Sequence, residues 1–274
     1  MDVIELQRHA RNIRRHIVKM VYEAQSGHPG GSLSAADLLT ILYFQQMNID
    51  DKNLNSMDRD RFVLSKGHAS PLLYAILCEK GFLEEKELWT FRKINSRLQG
   101  HPNMRYIDGI DMSTGSLGQG LSVATGMALA NRLDHKEHRI YALLGDGECE
   151  EGQVWEAAMA AAHYKLDNLC AIIDYNHLQI DGNIREVMDP TPLDTKFQAF
   201  GWHVIEIDGH DMKAIEKAFE IAKETKGCPT MILAHTIKGK GVSFMENNYA
   251  WHGKAPNEEQ YELAMKELGG EGNE

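Results

Sequence analysis

The stretch from Tyr141 to Gly182, YALLGDGECEEGQVWEAAMAAAHYKLDNLCAIIDYNHLQIDG, leaves few folds open to this chain. Tyr141–Leu144 is a short apolar run stopped by Gly145, and Leu169–Ile173 is a second such run. Between them, within Glu151–Lys165, Val154, Ala158, Ala161 and Ala162 recur at helical spacing. Two short apolar runs around one helix read as a βαβ unit, with parallel strands and a right-handed crossover. If the strands are neighbours, about 4.8 Å apart, Asp146 and Asn176 both leave their carboxyl ends, where open α/β sheets place ligands. Two hard oxygen ligands so placed can share one Mg²⁺, whose bonds are about 2.1 Å long. The helix after Asp146 is expected to aim its N-terminal N–H groups at the same spot, which suits phosphate. An acidic side chain facing a phosphate repels it unless a cation lies between them. The arrangement therefore implies a metal–diphosphate pair.

The rest of the chain reads as a single α/β domain with a mostly parallel sheet flanked by helices. Leu6, Ala10, Ile13, Ile17, Met20 and Ala24 make an amphipathic first helix, with Asp2 as its cap and Gly27 as its stop. Its basic residues, Arg8, Arg11, Arg14, Arg15 and Lys19, read as a solvated face. Ser26–Gly31 reads as a loop, and Ser34 opens a capping-box-like Ser-Ala-Ala-Asp before a helix over Leu38–Phe44. Strands are expected at Arg61–Leu64, Trp202–Ile207 and Thr230–Ala234, and helices at Pro71–Cys78, from Asp211 to about Ala222, and over Asn257–Leu268. A mobile tail is expected over Gly269–Glu274. Ser113–Gly120 opens a helix of small residues (Ser122, Ala124, Gly126, Ala128, Ala130), which allow another backbone to approach closely. It is no P-loop, because Leu121 stands where that motif needs Lys, and the glycines do not fit GxGxxG.

Charge and composition narrow the function classes. With 29 basic and 40 acidic residues, the net charge of −11 argues against a general nucleic-acid surface. A few local cations still suffice for a phosphorylated substrate. Cys78, Cys149, Cys170 and Cys228 form no CxxC and no zinc spacing, so they read as free buried thiols in a reducing compartment. The N-terminus has no continuous apolar core for a signal peptide, and no run approaches the ~20 apolar residues of a membrane span. The expectation is a cytoplasmic protein without nucleic-acid or membrane partners.

Gly145-Asp146-Gly147, followed by 28 residues and then Asn176, resembles the Mg²⁺–thiamine-diphosphate motif. Gly-Asp-Gly alone also describes any tight turn in an α/β domain. The other words decide the matter: SGHPGGSLSAADLL, SKGHASPLLYAIL, GHP, STGSLGQGLSVATGMALA and HTIKGKGV…WHGKAP stand in the order found in the N-terminal half of a transketolase. The resemblance runs from about residue 10 to residue 256. It implies a thiamine-diphosphate-binding fold of the diphosphate-domain type over residues 1–274.

Residue by residue, the resemblance implies that Asp146, Asn176 and the Leu178 carbonyl hold Mg²⁺ together with two diphosphate oxygens. His68, His252 and Lys238 would bind the diphosphate, and Gly147, after Gly145, would bring its N–H close to it. Gly115 would hold the aminopyrimidine through its carbonyl, with Leu117 in the same cofactor set. His28 and His101 would face the reacting carbon, bond to ketose oxygens and, with His252, move protons. Glu151 matches a carboxylate linking two cofactor sites across a dimer, and equally suits a helix start. Lys66 and Lys238 also have the simpler reading of surface lysines, Lys238 being the better ligand candidate because glycines flank it. Ser116 replaces a common Pro, and Tyr175 replaces the usual Asp or Asn before Asn176.

In that family a Glu on a second, pyrimidine domain promotes the reactive form of the cofactor from across a dimer interface. That domain and the C-terminal third domain are expected on a separate chain. The resemblance thus implies an N-terminal subunit that works only with a C-terminal partner, in an α₂β₂ assembly that moves a two-carbon ketol unit from a ketose phosphate to an aldose phosphate. The rivals are a subunit of a 2-oxo-acid dehydrogenase or a deoxyxylulose-phosphate-type synthase, and a non-catalytic assembly module that keeps the fold.

Overall fold

Strands that are apolar on both faces dictate this architecture. The computed structural model describes residues 1–269, so all of the expected tail but Gly269 lies outside the described residues. The chain begins with α1 (Val3–Ala24), α2 (Pro29–Ser34) and α3 (Ala36–Ile41), then β1 (Arg61–Leu64), α4 (Ser70–Glu79) and α5 (Glu85–Leu88). It continues through α6 (Gln119–Leu133), β2 (Ile140–Gly145), α7 (Gly152–His163) and β3 (Leu169–Tyr175). A two-residue hairpin follows, β4 (Leu178–Gln179) with β5 (Gly182–Asn183), then α8 (Ile184–Val187) and α9 (Leu193–Ala199). The chain closes with β6 (His203–Asp208), α10 (Met212–Glu224), β7 (Thr230–His235) and α11 (Glu258–Glu267).

The main sheet has the order β1-β2-β3-β7-β6, every pair parallel. Tyr141, Leu143, Cys170, Ile172 and Ile232 pack on one face with residues of α1, α3, α4 and α10. Ala142, Leu144, Ala171, Ile173 and Met231 pack on the other with residues of α6, α7 and α9. Burial of both faces is why these strands read as apolar runs instead of alternating patterns. β2 and β3 are direct neighbours, with Gly145 opposite Asp174, so Asp146 and Asn176 do leave adjacent strand ends.

Four local expectations need correction. Gln25 ends α1, adopting the left-handed conformation (φ 46°) with its N–H bonded to Tyr22, so Gly27 is not the stop. The basic face of α1 is not all solvated: Arg14 is buried in a two-pronged pair with Asp37 (2.9 and 2.7 Å), and Arg15 donates to the Met265 and Gly269 carbonyls. The SGHPGG segment is not all loop, because Pro29 opens α2 at the first helical position, where its missing N–H costs nothing. Ser34 therefore closes a helix instead of capping one, and its hydroxyl donates to Asp174 at 2.6 Å.

The small residues of α6 behave as the sequence suggests, although the helix starts only at Gln119. A Cβ on Gly120 would lie 2.5 Å from Ser65 Cβ and 2.6 Å from Ser65 Cα. Backbone cannot yield as a side chain does, so Gly120→Ala is expected to destabilise the protein by about 3 kcal/mol, the upper end for overpacking. A denaturant midpoint unchanged from the parent would refute this close approach.

Candidate functional site

The carboxyl ends of β1, β2, β3 and β7 open onto a cleft of about 360 Å³, lined by every residue that the motifs single out. β1 delivers Lys66 and His68, β2 delivers Asp146, β3 delivers Asn176, β4 carries Leu178, and β7 delivers Lys238. His28 enters just before α2, His101 from the loop after α5, and His252 after a short turn at Tyr249–Trp251. Gly30 lets three of these segments meet: a Cβ there would lie 2.8 Å from the Trp251 carbonyl and 3.1 Å from Lys238 Cγ.

His28, His68 and His252 form a triangle with ring centroids 5.0–5.4 Å apart. Burial lowers all three imidazoles, and the neighbouring cations lower them further. His28 falls to about 4 through burial, then Arg92, His101 and Lys238. His252 falls to about 3 through burial, then Lys238, His28 and Lys66, while His68 is held well below its usual range. At neutral pH the three rings are uncharged, so each offers one N–H donor and one acceptor. The buried Nδ1 of His28 has no protein partner among the described residues. Nδ1 of His252 accepts from Lys238 Nζ at 3.0 Å, which leaves the proton on Nε2.

Asp146 is buried and its carboxyl is pushed up to about 7, first by burial and then by the charge of Asp174. Among the described residues it accepts only backbone N–H groups, from Gly147 (2.8 Å) and His177 (2.5 Å). Nδ2 of Asn176 donates to Asp174 at 3.1 Å, and its Oδ1 accepts from Leu178 N at 3.2 Å. The Leu178 carbonyl accepts from Lys238 Nζ at 2.9 Å. Lys238 is thus no surface lysine; it is 2% exposed and lowered to about 8, chiefly by burial. Lys66 is buried as well, paired with Asp174 and donating to the Gly31 carbonyl at 2.7 Å.

The helix expected within Glu151–Lys165 is α7, and its start lies at the cleft edge, where Glu150 and Glu151 line the cleft. A single tight turn at Gly147–Glu150 stands between Asp146 and α7, which starts at Gly152. Lys66, Lys238 and the neutral imidazoles line the same cleft. Glu148, which no motif reading singled out, is buried and gathers Ser65 Oγ (2.5 Å), Gly118 N (2.9 Å) and Gly145 N (3.1 Å), tying three rims of the cleft together. Asp174 was equally invisible. Glu151 sits at the start of α7, exposed and with no side-chain bond to the helix, at the cleft edge near Gly118. Gly115 (φ 150°) packs against the His101 ring, and Leu117 is partly exposed at the rim.

Nη1 of Arg92 donates to Ser26 Oγ at 3.1 Å, and its charge lowers His28 and His101 after burial has acted. Removing a cation favours the protonated ring, so Arg92→Gln is expected to raise both values by a few tenths of a unit to about one unit at low salt, and by less at 0.5 M salt. Proton NMR titration of the ring signals reads this directly, and unchanged midpoints would refute the coupling.

The family model described as "Transketolase, thiamine diphosphate binding domain" matches residues 6–274. The chain is 49% identical to the 6-deoxy-6-sulfo-D-fructose transketolase subunit SqwG of Clostridium sp. (strain MSTE9), over 98% of both chains. It is 44% identical to an apulose-4-phosphate transketolase subunit of Phocaeicola vulgatus, over 98% of this chain and 95% of that protein. The transketolase structure from Campylobacter jejuni superposes with a TM-score of 0.92 at 36% identity, covering all of this chain but only 44% of that one. Fold, motif order and these likenesses agree: the chain belongs to the transketolase family and carries its thiamine diphosphate binding domain.

Proposed function

We propose that this chain is the N-terminal, diphosphate-domain subunit of a split transketolase. It holds Mg²⁺ and thiamine diphosphate in the cleft and works with a C-terminal subunit that carries the pyrimidine domain, in an α₂β₂ assembly. The observation that carries this reading is likeness: relatives 49% and 44% identical, matched over 98% and 95% of their own sequences, are themselves named subunits. Both names also specify a sugar bearing an anionic group, a sulfonate or a phosphate, so the substrates proposed here are a ketose phosphate as donor and an aldose phosphate as acceptor. Four free thiols support a cytoplasmic setting.

The donor set fits the proposed groups. A buried carboxylate, an amide oxygen and a backbone carbonyl are hard ligands suited to Mg²⁺. Asp146 in particular sits as a buried acid with two backbone N–H partners among the described residues, an arrangement a cation would stabilise. When bound, thiamine diphosphate supplies the carbon nucleophile that attacks a ketose carbonyl. His68, His252 and Lys238 would bind the diphosphate, with the Gly145–Gly147 turn passing close by. Gly115 and Leu117 would border the ring system, and Glu151 would face the second site of the dimer. His28 and His101 would orient the sugar oxygens, and with His252 hold or release their protons.

Native mass spectrometry with cofactor and ketol-transfer assays, on this chain alone and co-expressed with the neighbouring open reading frame, tests the proposal. Ketol transfer is expected only from the two-chain complex. Full activity from the single chain would refute the split arrangement.

A further inference from the structure

Asp174 belongs to none of the recognised motifs, yet it is fully buried directly beneath the cleft. Its Oδ2 accepts from Ser34 Oγ at 2.6 Å, from Asn176 Nδ2 at 3.1 Å and from Lys66 Nζ, and its Oδ1 accepts from Thr236 Oγ1. Those donors arrive from α2, from just past β3, from the end of β1 and from the end of β7. Three donors thus converge on Oδ2 and one on Oδ1. All four partners are donors, one of them the Lys66 ammonium, so the carboxylate acts as an acceptor toward each of them.

The two ends of the Asn176 amide have nearly the same shape, and only the oxygen end can ligate a cation. Asp174 can accept a hydrogen bond but cannot donate one, so it selects the NH₂ end of that amide. Leu178 N, donating to Oδ1 at 3.2 Å, favours the same orientation. We propose that Asp174 is a positioning residue for the metal centre, locking the Asn176 amide so that its oxygen faces the cation. This rests on the reading that the cleft holds a divalent cation with a diphosphate.

The test uses the two-chain complex and reads the Mg²⁺ concentration that half-saturates thiamine diphosphate binding, by calorimetry, beside the melting temperature of the ligand-free complex. Asp174→Asn can present an NH₂ to Asn176 and is expected to raise the half-saturating Mg²⁺ by about 10–100-fold, the usual effect of losing a partner that orients a metal ligand. Thr236→Val removes a different donor from the same carboxylate. It is expected to lower the melting temperature while shifting the Mg²⁺ requirement less than threefold. The exchange Asp174→Asn with Asn176→Asp keeps one carboxylate beside Lys66 and gives position 176 two oxygen ends. It is expected to restore the requirement to within about threefold of the parent, and it serves as the readout should the single variant fail to fold. A parent-like requirement in Asp174→Asn, an equal rise in Thr236→Val, or no recovery in the exchanged pair would overturn the positioning role. A parent complex that binds thiamine diphosphate without any metal requirement would instead overturn the cofactor reading, and this inference with it.

Discussion

Asp146→Asn is expected to weaken metal-dependent thiamine diphosphate binding by about 100-fold or more, without weakening the ligand-free fold. Losing a partner that merely orients a metal ligand costs about 10–100-fold, and losing the ligand itself costs at least as much. Stability moves the other way because of what surrounds the carboxylate. Asp146 is buried next to the charge of Asp174, and its pKa of about 7 in the fold stands above the ordinary 3.8. A raised acid contributes stability below its unfolded value and loses it as pH rises through the folded one. Ligand-free parent protein should therefore lose stability between about pH 4 and pH 7 relative to the Asn variant, which keeps an oxygen for Gly147 N–H. Thermal melts at pH 5 and pH 8, with and without Mg²⁺ and cofactor, measure both halves. A variant that still binds cofactor in a metal-dependent way, or that is less stable than the parent at pH 8, would refute this account. Such a site trades stability for function, in the usual sense of a strained binding centre.

What the sequence discloses here follows from what pattern reading can detect. The β2–α7–β3 unit was legible because its strands are buried on both faces and are punctuated by glycine, so apolar runs and a turn sufficed to place Asp146 and Asn176 on neighbouring strand ends. The histidine loops were legible only through the order of their words, since no periodicity marks a loop residue that becomes half-buried. Lys66 and Asp174 escaped for a different reason. A lysine at a strand exit reads as surface, and an aspartate after Ile172-Ile173 reads as a turn, until the sheet sets them against each other with Ser34 and Thr236. Ser34 misled for a related reason: a capping box is a local signal, and here its hydroxyl serves a partner 140 residues away. The inward role of Glu148 was hidden because an acid in a Gly turn reads as solvated, whereas Glu148 is drawn inward to bond Gly145 and Gly118.

Lys238→Met should separate the two halves of the same site. The ammonium donates to the Leu178 carbonyl and to His252 Nδ1, and it is the buried cation that most strongly depresses His252 after burial itself. Charge-assisted hydrogen bonds of this kind are worth about 1.5–3 kcal/mol, so affinity for thiamine diphosphate at saturating Mg²⁺ should fall about 10–100-fold. Mg²⁺ alone should bind no more weakly, because the Leu178 carbonyl loses its competing donor and Asp146 loses an opposing charge. The His252 imidazole should titrate above its present value of about 3, since the cation beside its Nδ1 is gone. Calorimetry with metal and cofactor added separately, together with NMR titration of His252, resolves the three effects. If cofactor affinity stayed within twofold of the parent, Lys238 would be a structural cation, and the diphosphate would have to be held by His68 and His252 without it. If instead metal affinity fell in parallel with cofactor affinity, the Leu178 carbonyl would need Lys238 to hold it in place, and their hydrogen bond would be part of the metal site and not a competitor to it.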